Sequence, residues 1–268
     1  MRAIPRLTAI LALAQLVYAS AQALEPFALY DNFSVEPLNP ARWSDPQRLR
    51  FIDNGALALG QHSTGLTTSD SGFTSVNFNE NLSNPAAVTA LKAKITVTEL
   101  EVYACAANPA IGQSRARIVG GFFNIGAPVP GSQVGDVIAQ VRVIRLSNSP
   151  DPAGVLQVQG RVDVCTNADC STSDPIGSVV NMGSVNLGVP TTVQVQWDKP
   201  AKRFKFSRDS AAFSGKVVYA QSDASPPSVP FKQLSTRLDL PSCLSGPAVN
   251  GLVIARFDNI SVNLSAAP

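Results

Sequence analysis

The stretch TTVQVQWDKPAKRFKFSRD, residues 191–209, decides the fold. Val193, Val195 and Trp197 fall on one side of an extended chain, and Gln194 and Gln196 fall on the other. After Lys199-Pro200-Ala201-Lys202 the alternation resumes with Phe204 and Phe206. A period of two is the mark of a strand with one face buried, and a proline-containing tetrapeptide between two such runs marks a turn. The stretch is therefore predicted to be a β-hairpin. Its cations, Lys199, Lys202, Arg203, Lys205 and Arg208, belong to the turn and the wet face.

The same pattern recurs along the chain. In ALKAKITVT, Leu91, Ala93, Ile95 and Val97 alternate with Lys92, Lys94, Thr96 and Thr98. In GVLQVQGRVDVC, Leu156, Val158, Val162 and Val164 point one way, while Gln157, Gln159, Arg161 and Asp163 point the other. GDVIAQVRVIRL and NGLVIARFDNISVNL read alike. No stretch beyond the N-terminus shows a capped helical period. The predicted class is all-β: two antiparallel sheets packed as a β-sandwich.

The N-terminus, MRAIPRLTAILALAQLVYASAQA, has Arg2 and Arg6 ahead of an apolar run and small-x-small sites at Ala19–Ala21 and Ala21–Ala23. That is the pattern of a secretory signal peptide, and the run is short of the ~20 residues a membrane span takes. The expected division is residues 1–23 as signal peptide and 24–268 as one sandwich domain. The expected product is exported, periplasmic or extracellular, with no membrane span in the mature chain. The full chain carries 21 Lys+Arg against 19 Asp+Glu. Without Arg2 and Arg6 the balance is zero, which gives no reason to expect a nucleic-acid partner.

Four cysteines and one histidine, His62, bear on metal and redox chemistry. A zinc site takes four Cys or His ligands, and no Cys-x-x-Cys is present. In an oxidising compartment an even count reads as disulfides. Cys165 closes a strand and Cys170 lies in the next loop, so these two are expected to pair, for about 2 kcal/mol of loop entropy. Cys105 and Cys243 are left to each other, closing a much longer ring nominally worth about 5 kcal/mol.

Three stretches together resemble the concanavalin A-like lectin/glucanase superfamily, in particular its LamG-like and laminarinase-like secreted bacterial members. They are LYDNFSVEPLNPARWSD (29–45), LRFIDNGALAL (49–59) and LVIARFDNISVN (252–263), and the resemblance runs from about Phe27 to Leu264. It implies a jelly-roll topology whose first and last strands pair, setting Asp31 near Asp258. It also implies that a structural calcium is possible, with those two aspartates as its candidates; no other cofactor is expected. Catalytic laminarinase-like members carry Glu-x-Asp-x-x-Glu on one strand. The nearest match here is Glu99-Leu100-Glu101-Val102-Tyr103-Ala104, in which Ala104 stands where the acid/base should be. Glu99 and Glu101 on one strand face are about 6.5 Å apart along the chain, whereas a retaining pair needs carboxyls about 5–5.5 Å apart. Asp136 and Asp163 are the other acids that could stand in.

This fold hosts binders and hydrolases alike. The expectation from sequence is a non-catalytic carbohydrate-recognition or surface-interaction module. Its partner is a glycan or cell-surface polymer. The alternatives are a hydrolase with a divergent acid pair or a structural envelope protein. The candidate binding residues are Tyr103, Gln157, Gln159 and Arg161, with Gln194 and Gln196 as a second polar face. Aromatics make up only 7% of the chain. Trp43 and Trp197 sit in apolar register, which leaves Tyr103, Phe123 and Tyr219 as the rings open to exposure.

Overall fold

A computed structural model describes residues 47–210 and 212–267. The expected signal peptide, Asp31 and Trp43 lie outside the described residues, and so does the expected pairing of the Asp31 segment with the last strand. Fourteen strands follow in chain order: β1 (Gln47–Asp53), β2 (Ala56–Thr64), β3 (Phe73–Asn81), β4 (Ala90–Val102), β5 (Gln113–Asn124), β6 (Asp136–Leu146), β7 (Val155–Cys165), β8 (Ser173–Pro175), β9 (Val180–Asn186), β10 (Thr191–Asp198), β11 (Arg203–Arg208), β12 (Phe213–Val218), β13 (Lys232–Pro241) and β14 (Asn250–Val262). They form two antiparallel sheets. Sheet A has the order β1-β2-β14-β4-β10-β11-β12. Sheet B has the order β3-β13-β5-β6-β7-β8, with β9 also paired to β7. The fold is the expected two-sheet antiparallel sandwich.

Local chemistry sets the hairpins. The β10–β11 ladder runs from Val193 opposite Arg208 to Asp198 opposite Arg203. The turn between them is closed by the Lys202 N–H donating to the Lys199 carbonyl at 3.0 Å. Between β1 and β2, Asn54 and Gly55 have φ of 49° and 80°. Positive φ at both central residues is what a two-residue hairpin matching the strand twist requires, and Asn-Gly supplies it at least cost.

The inward faces meet in one core. Leu91, Ala93, Ile95 and Val97 from β4, Val193 and Val195 from β10, and Phe204 and Phe206 from β11 pack against Val141 and Val143 from β6 and Leu156, Val158 and Val162 from β7. Phe206 lies so close to β7 that a Cβ on Gly160 would come within 2.4 Å of its ring. Glycine is needed there for contact between the sheets, in the middle of an otherwise apolar face.

Phe123 and Tyr219 are not surface rings. They are 0% and 3% exposed. Phe123 stacks on Trp197 with centroids 5.4 Å apart and lies 4.9 Å from the Tyr219 ring. The Trp197 Nε1–H donates to the Tyr219 hydroxyl at 2.7 Å, which in turn donates to Asp223 at 2.7 Å. Tyr219 is buried because both polar ends of this aromatic stack have partners.

Both disulfides are the expected ones. Cys165–Cys170 spans 4.8 Å between Cα atoms inside the β7–β8 loop. Cys105–Cys243 spans 5.6 Å and joins the segment after β4 of sheet A to the segment after β13 of sheet B. The Asp70 carboxylate lies beside this second disulfide. Both sulfurs are oxidised, and Asp70 accepts the Leu244 and Ser245 N–H groups at 2.7 and 3.0 Å, so the cluster is a braced loop and not a metal centre.

Candidate functional site: the arginine face of sheet B

The side chains that sheet B turns away from the core form rows across the strands. One row is fixed by register. It runs Asn79 (β3), Ser235 (β13), Arg117 (β5), Arg142 (β6), Gln159 (β7) and Asn181 (β9). The neighbouring row runs Asn77, Arg237, Arg115, Ile144, Gln157 and Ser184. Each arginine alternates with core residues: Ala116 and Ile118 flank Arg117, and Val141 and Val143 flank Arg142. The strand period therefore forces the guanidinium groups onto the outer face. Gln157, Gln159 and Arg161 stand together on this face, as expected.

The charges on it do not balance. Arg161 donates to Asp163 at 2.6 Å through Nε. Asp239 takes both Arg115, at 2.9 Å, and Arg237, at 2.8 Å. Arg117 has only neutral acceptors among the described residues: Ser235 Oγ at 3.4 Å, Gln140 Oε1 at 3.2 Å and Asn77 Oδ1 at 3.1 Å. Arg142 bonds Gln159 Oε1 through Nε at 3.1 Å and Nη2 at 2.8 Å, and among the described residues it too meets no carboxylate. Arg115, Arg117 and Arg142 are 5%, 6% and 9% exposed. Burial pulls the Arg115 pKa down to about 10, against the pull of Asp239. Burial, then the charges of Arg115 and Arg161, takes Arg142 down to about 9. Arg117 is lowered by burial and then by Arg115 and Arg237. Burial pushes the Asp239 carboxyl up, but Arg115, Arg237 and the bonds from Ser75 and Arg237 more than offset it, leaving its pKa at about 2.

A cavity of about 370 Å³ opens beside the arginines and is lined by Ile144, Leu146, Pro150, Asp151, Gln157, Gln159 and Asn181, among others. Gln159 is thus both a cavity wall and the acceptor of Arg142. The Arg115 Nε–H is buried with no hydrogen-bond partner among the described residues.

The remaining sequence candidates lie elsewhere. A bulge in the β4–β14 ladder, between Val97 and Glu99, resets the alternation. Leu100 then points inward, and Glu99 and Glu101 are exposed on the outer face of sheet A, across the core from the arginines. Tyr103 follows them, also exposed, and its hydroxyl donates to Glu101 at 3.1 Å, which pushes its pKa up. Tyr103 therefore does not join Gln157, Gln159 and Arg161. Asp136 is fully buried and accepts from Asn124 and from the Ser228 and Val229 N–H groups, a structural role. Asp258 is paired with Lys94 Nζ at 2.5 Å, and the other calcium candidate, Asp31, lies outside the described residues. No group of three ligating side chains among the described residues includes Asp258. Gln194 and Gln196 line a second cavity, of about 620 Å³, with Lys205, Ser207 and Lys216 on sheet A.

Arg117 and Arg142 are the residues that sequence reasoning missed. No protein-family model matches the chain, and no curated protein matches it. Among solved structures it is similar to a family 7 alginate lyase, at 13% identity and a TM-score of 0.42 over 81% of this chain and 84% of that one. It is also similar to a legume lectin-like domain from Entamoeba histolytica, at 10% identity and a TM-score of 0.31 over 83% and 93%. A third is winged bean acidic lectin, at 12% identity and a TM-score of 0.33 over 81% and 92%. At these values nothing about the site is carried over from them.

Proposed function

We propose that the protein is an exported, non-catalytic carbohydrate-recognition module whose sugar lies along the outer face of sheet B. The observation that carries this reading is the in-register array of amide, hydroxyl and guanidinium groups from six strands beside an open cavity. Such groups, fixed on a rigid sheet, meet sugar hydroxyls without paying to order loops. Export is supported by the signal-like N-terminus and the two disulfides. Among the described residues no helix is long and apolar enough to cross a membrane.

The absence of catalysis is supported by the state of the acids. Glycoside hydrolysis takes one carboxyl kept protonated and one ionised on opposite sides of the bond. On this face Asp163 is bound by Arg161, and Asp239 is held ionised by Arg115 and Arg237. Asp239 is therefore not placed to stay protonated.

Affinity electrophoresis through gels containing a panel of polysaccharides tests the reading. The protein is expected to be retarded by at least one polymer, Gln159→Ala is expected to weaken that retardation about tenfold, and no reducing ends should appear. Reducing-end release that collapses in Glu99→Gln, or retardation indifferent to Gln159→Ala, would overturn it.

A further inference from the structure

We infer that the ligand of this face is a polyanionic glycan, with a carboxylate or sulfate group seated between Arg117 and Arg142. The inference rests on the carbohydrate reading of the same face and goes beyond it by fixing the charge of the sugar.

Five arginines, Arg115, Arg117, Arg142, Arg161 and Arg237, share the face with Asp163 and Asp239, which pair with them, and with Asp151 at the cavity rim, which accepts from Gln157 at 2.5 Å. Asp163 and Asp239 are used up by Arg161, Arg115 and Arg237, and five cations against three acids leave an excess of positive charge. Arg117 and Arg142 lie directly opposite each other in the ladder, where like charges repel most. Both are more than nine-tenths buried and bonded only to neutral groups among the described residues. Burying a cation without an anion is costly. Uncharged hydroxyls could be recognised by the amides alone, so a neutral sugar gives no return on that cost. A carboxylate or sulfate does, because two guanidinium forks bind its oxygens in charge-assisted pairs. Gln159 holds the place of the missing anion. Its single carboxamide oxygen takes both Nε and Nη2 of Arg142, where a carboxylate would offer two oxygens, and it borders the cavity through which a ligand group enters. The unpartnered Arg115 Nε–H, one row away, is a further donor for the same charge. The two rows contain no aromatic ring to stack on an uncharged sugar.

Gln159→Glu supplies the anion from the protein itself, on a fold it should strengthen. The purified chain is titrated with polygalacturonate, dextran sulfate and uncharged dextran. Wild type is expected to bind one or both charged polymers at least tenfold more tightly than dextran, and which of the two binds identifies carboxylate or sulfate. Gln159→Glu is expected to melt at a higher temperature and to lose at least tenfold in affinity. Arg142→Gln is expected to lose a similar factor, with Arg142→Lys recovering part of it, while Lys92→Gln, exposed on sheet A, changes nothing. Dextran bound as tightly as the charged polymers would overturn the inference and leave glycan recognition standing. No polymer bound by wild type would overturn both. Charged-polymer binding that survives Gln159→Glu and Arg142→Gln would overturn the assignment to these arginines.

Discussion

On sheet A, Lys94 meets Asp258 at 2.5 Å, and Arg203 and Lys205 share Asp198 at 2.9 Å each. On sheet B, Arg117 and Arg142 face each other across two strands with amides and a hydroxyl for company. Both sets of cations arise from the same alternation of charged and apolar residues. They differ in depth. The Lys94 and Lys205 side chains are 36% and 44% exposed, and that of Arg115 is 6% exposed. Water screens the first set, so its pairing is worth little. It screens the second far less, so a missing partner there costs more. An identical strand pattern thus gives a solvated surface on one sheet and a polarised, reactive one on the other.

The contrast is easiest to break at Asp239. Asp239→Asn strands Arg115 and Arg237, and is expected to cost about 3 kcal/mol in urea unfolding at neutral pH. The pH dependence has a definite sign. The Asp239 pKa falls from an ordinary 3.8 to about 2 on folding. Its contribution is complete above about pH 4 and is lost as the pH falls through about 2. Wild type should therefore lose stability across that interval and Asp239→Asn should lose less; equal slopes would remove Asp239 from the account. The second test is smaller and opposite in sign. Arg142→Met relieves the repulsion with Arg117 while keeping an apolar stem, and should raise stability by about 1 kcal/mol. A clear loss would mean that the two cations are better satisfied than their partners indicate. The smallest effect belongs to sheet A. Lys94→Gln should leave the urea midpoint unchanged, while the Asp258 carboxyl, held down mainly by its bond from Lys94, should titrate nearer the ordinary value by NMR.

What the sequence made legible follows the same division between local and distant. The Lys199–Lys202 turn and the Cys165–Cys170 ring are each closed by residues a few positions apart, and each is where the pattern placed it. Tyr219 and Phe123 were misplaced because their burial depends on Trp197 and Phe204 arriving from another hairpin. The candidates Glu99 and Glu101 could be set on a strand but not on a side of the core, since one bulge in the ladder with β14 decides it. Half of the arginine face was visible in Gln157, Gln159 and Arg161. The other half was not, because Ser235, a neighbour of Arg117, is 118 residues away in the chain. One signal was present: Arg115, Arg117 and Arg142 interrupt strands that are otherwise almost wholly buried. A net charge near zero says nothing about where such cations converge.

The Cys105–Cys243 bond also has a mechanical meaning. Arg115, Arg117, Arg142, Arg161 and Arg237 all lie inside the covalent ring it closes, a sequence separation of 138 residues. A pull applied to the two ends of the chain bears on β1, β2, β3, β4 and β14, which lie outside that ring, and passes through the sulfur bridge instead of through the arginine strands. At ~3.5 Å per extended residue, nearly 500 Å of chain is withheld from stretching. Of the polymer-facing sheet, β5, β6, β7 and β13, which carry the arginines, are thereby shielded from tension between the chain ends, whereas the edge strand β3 is not.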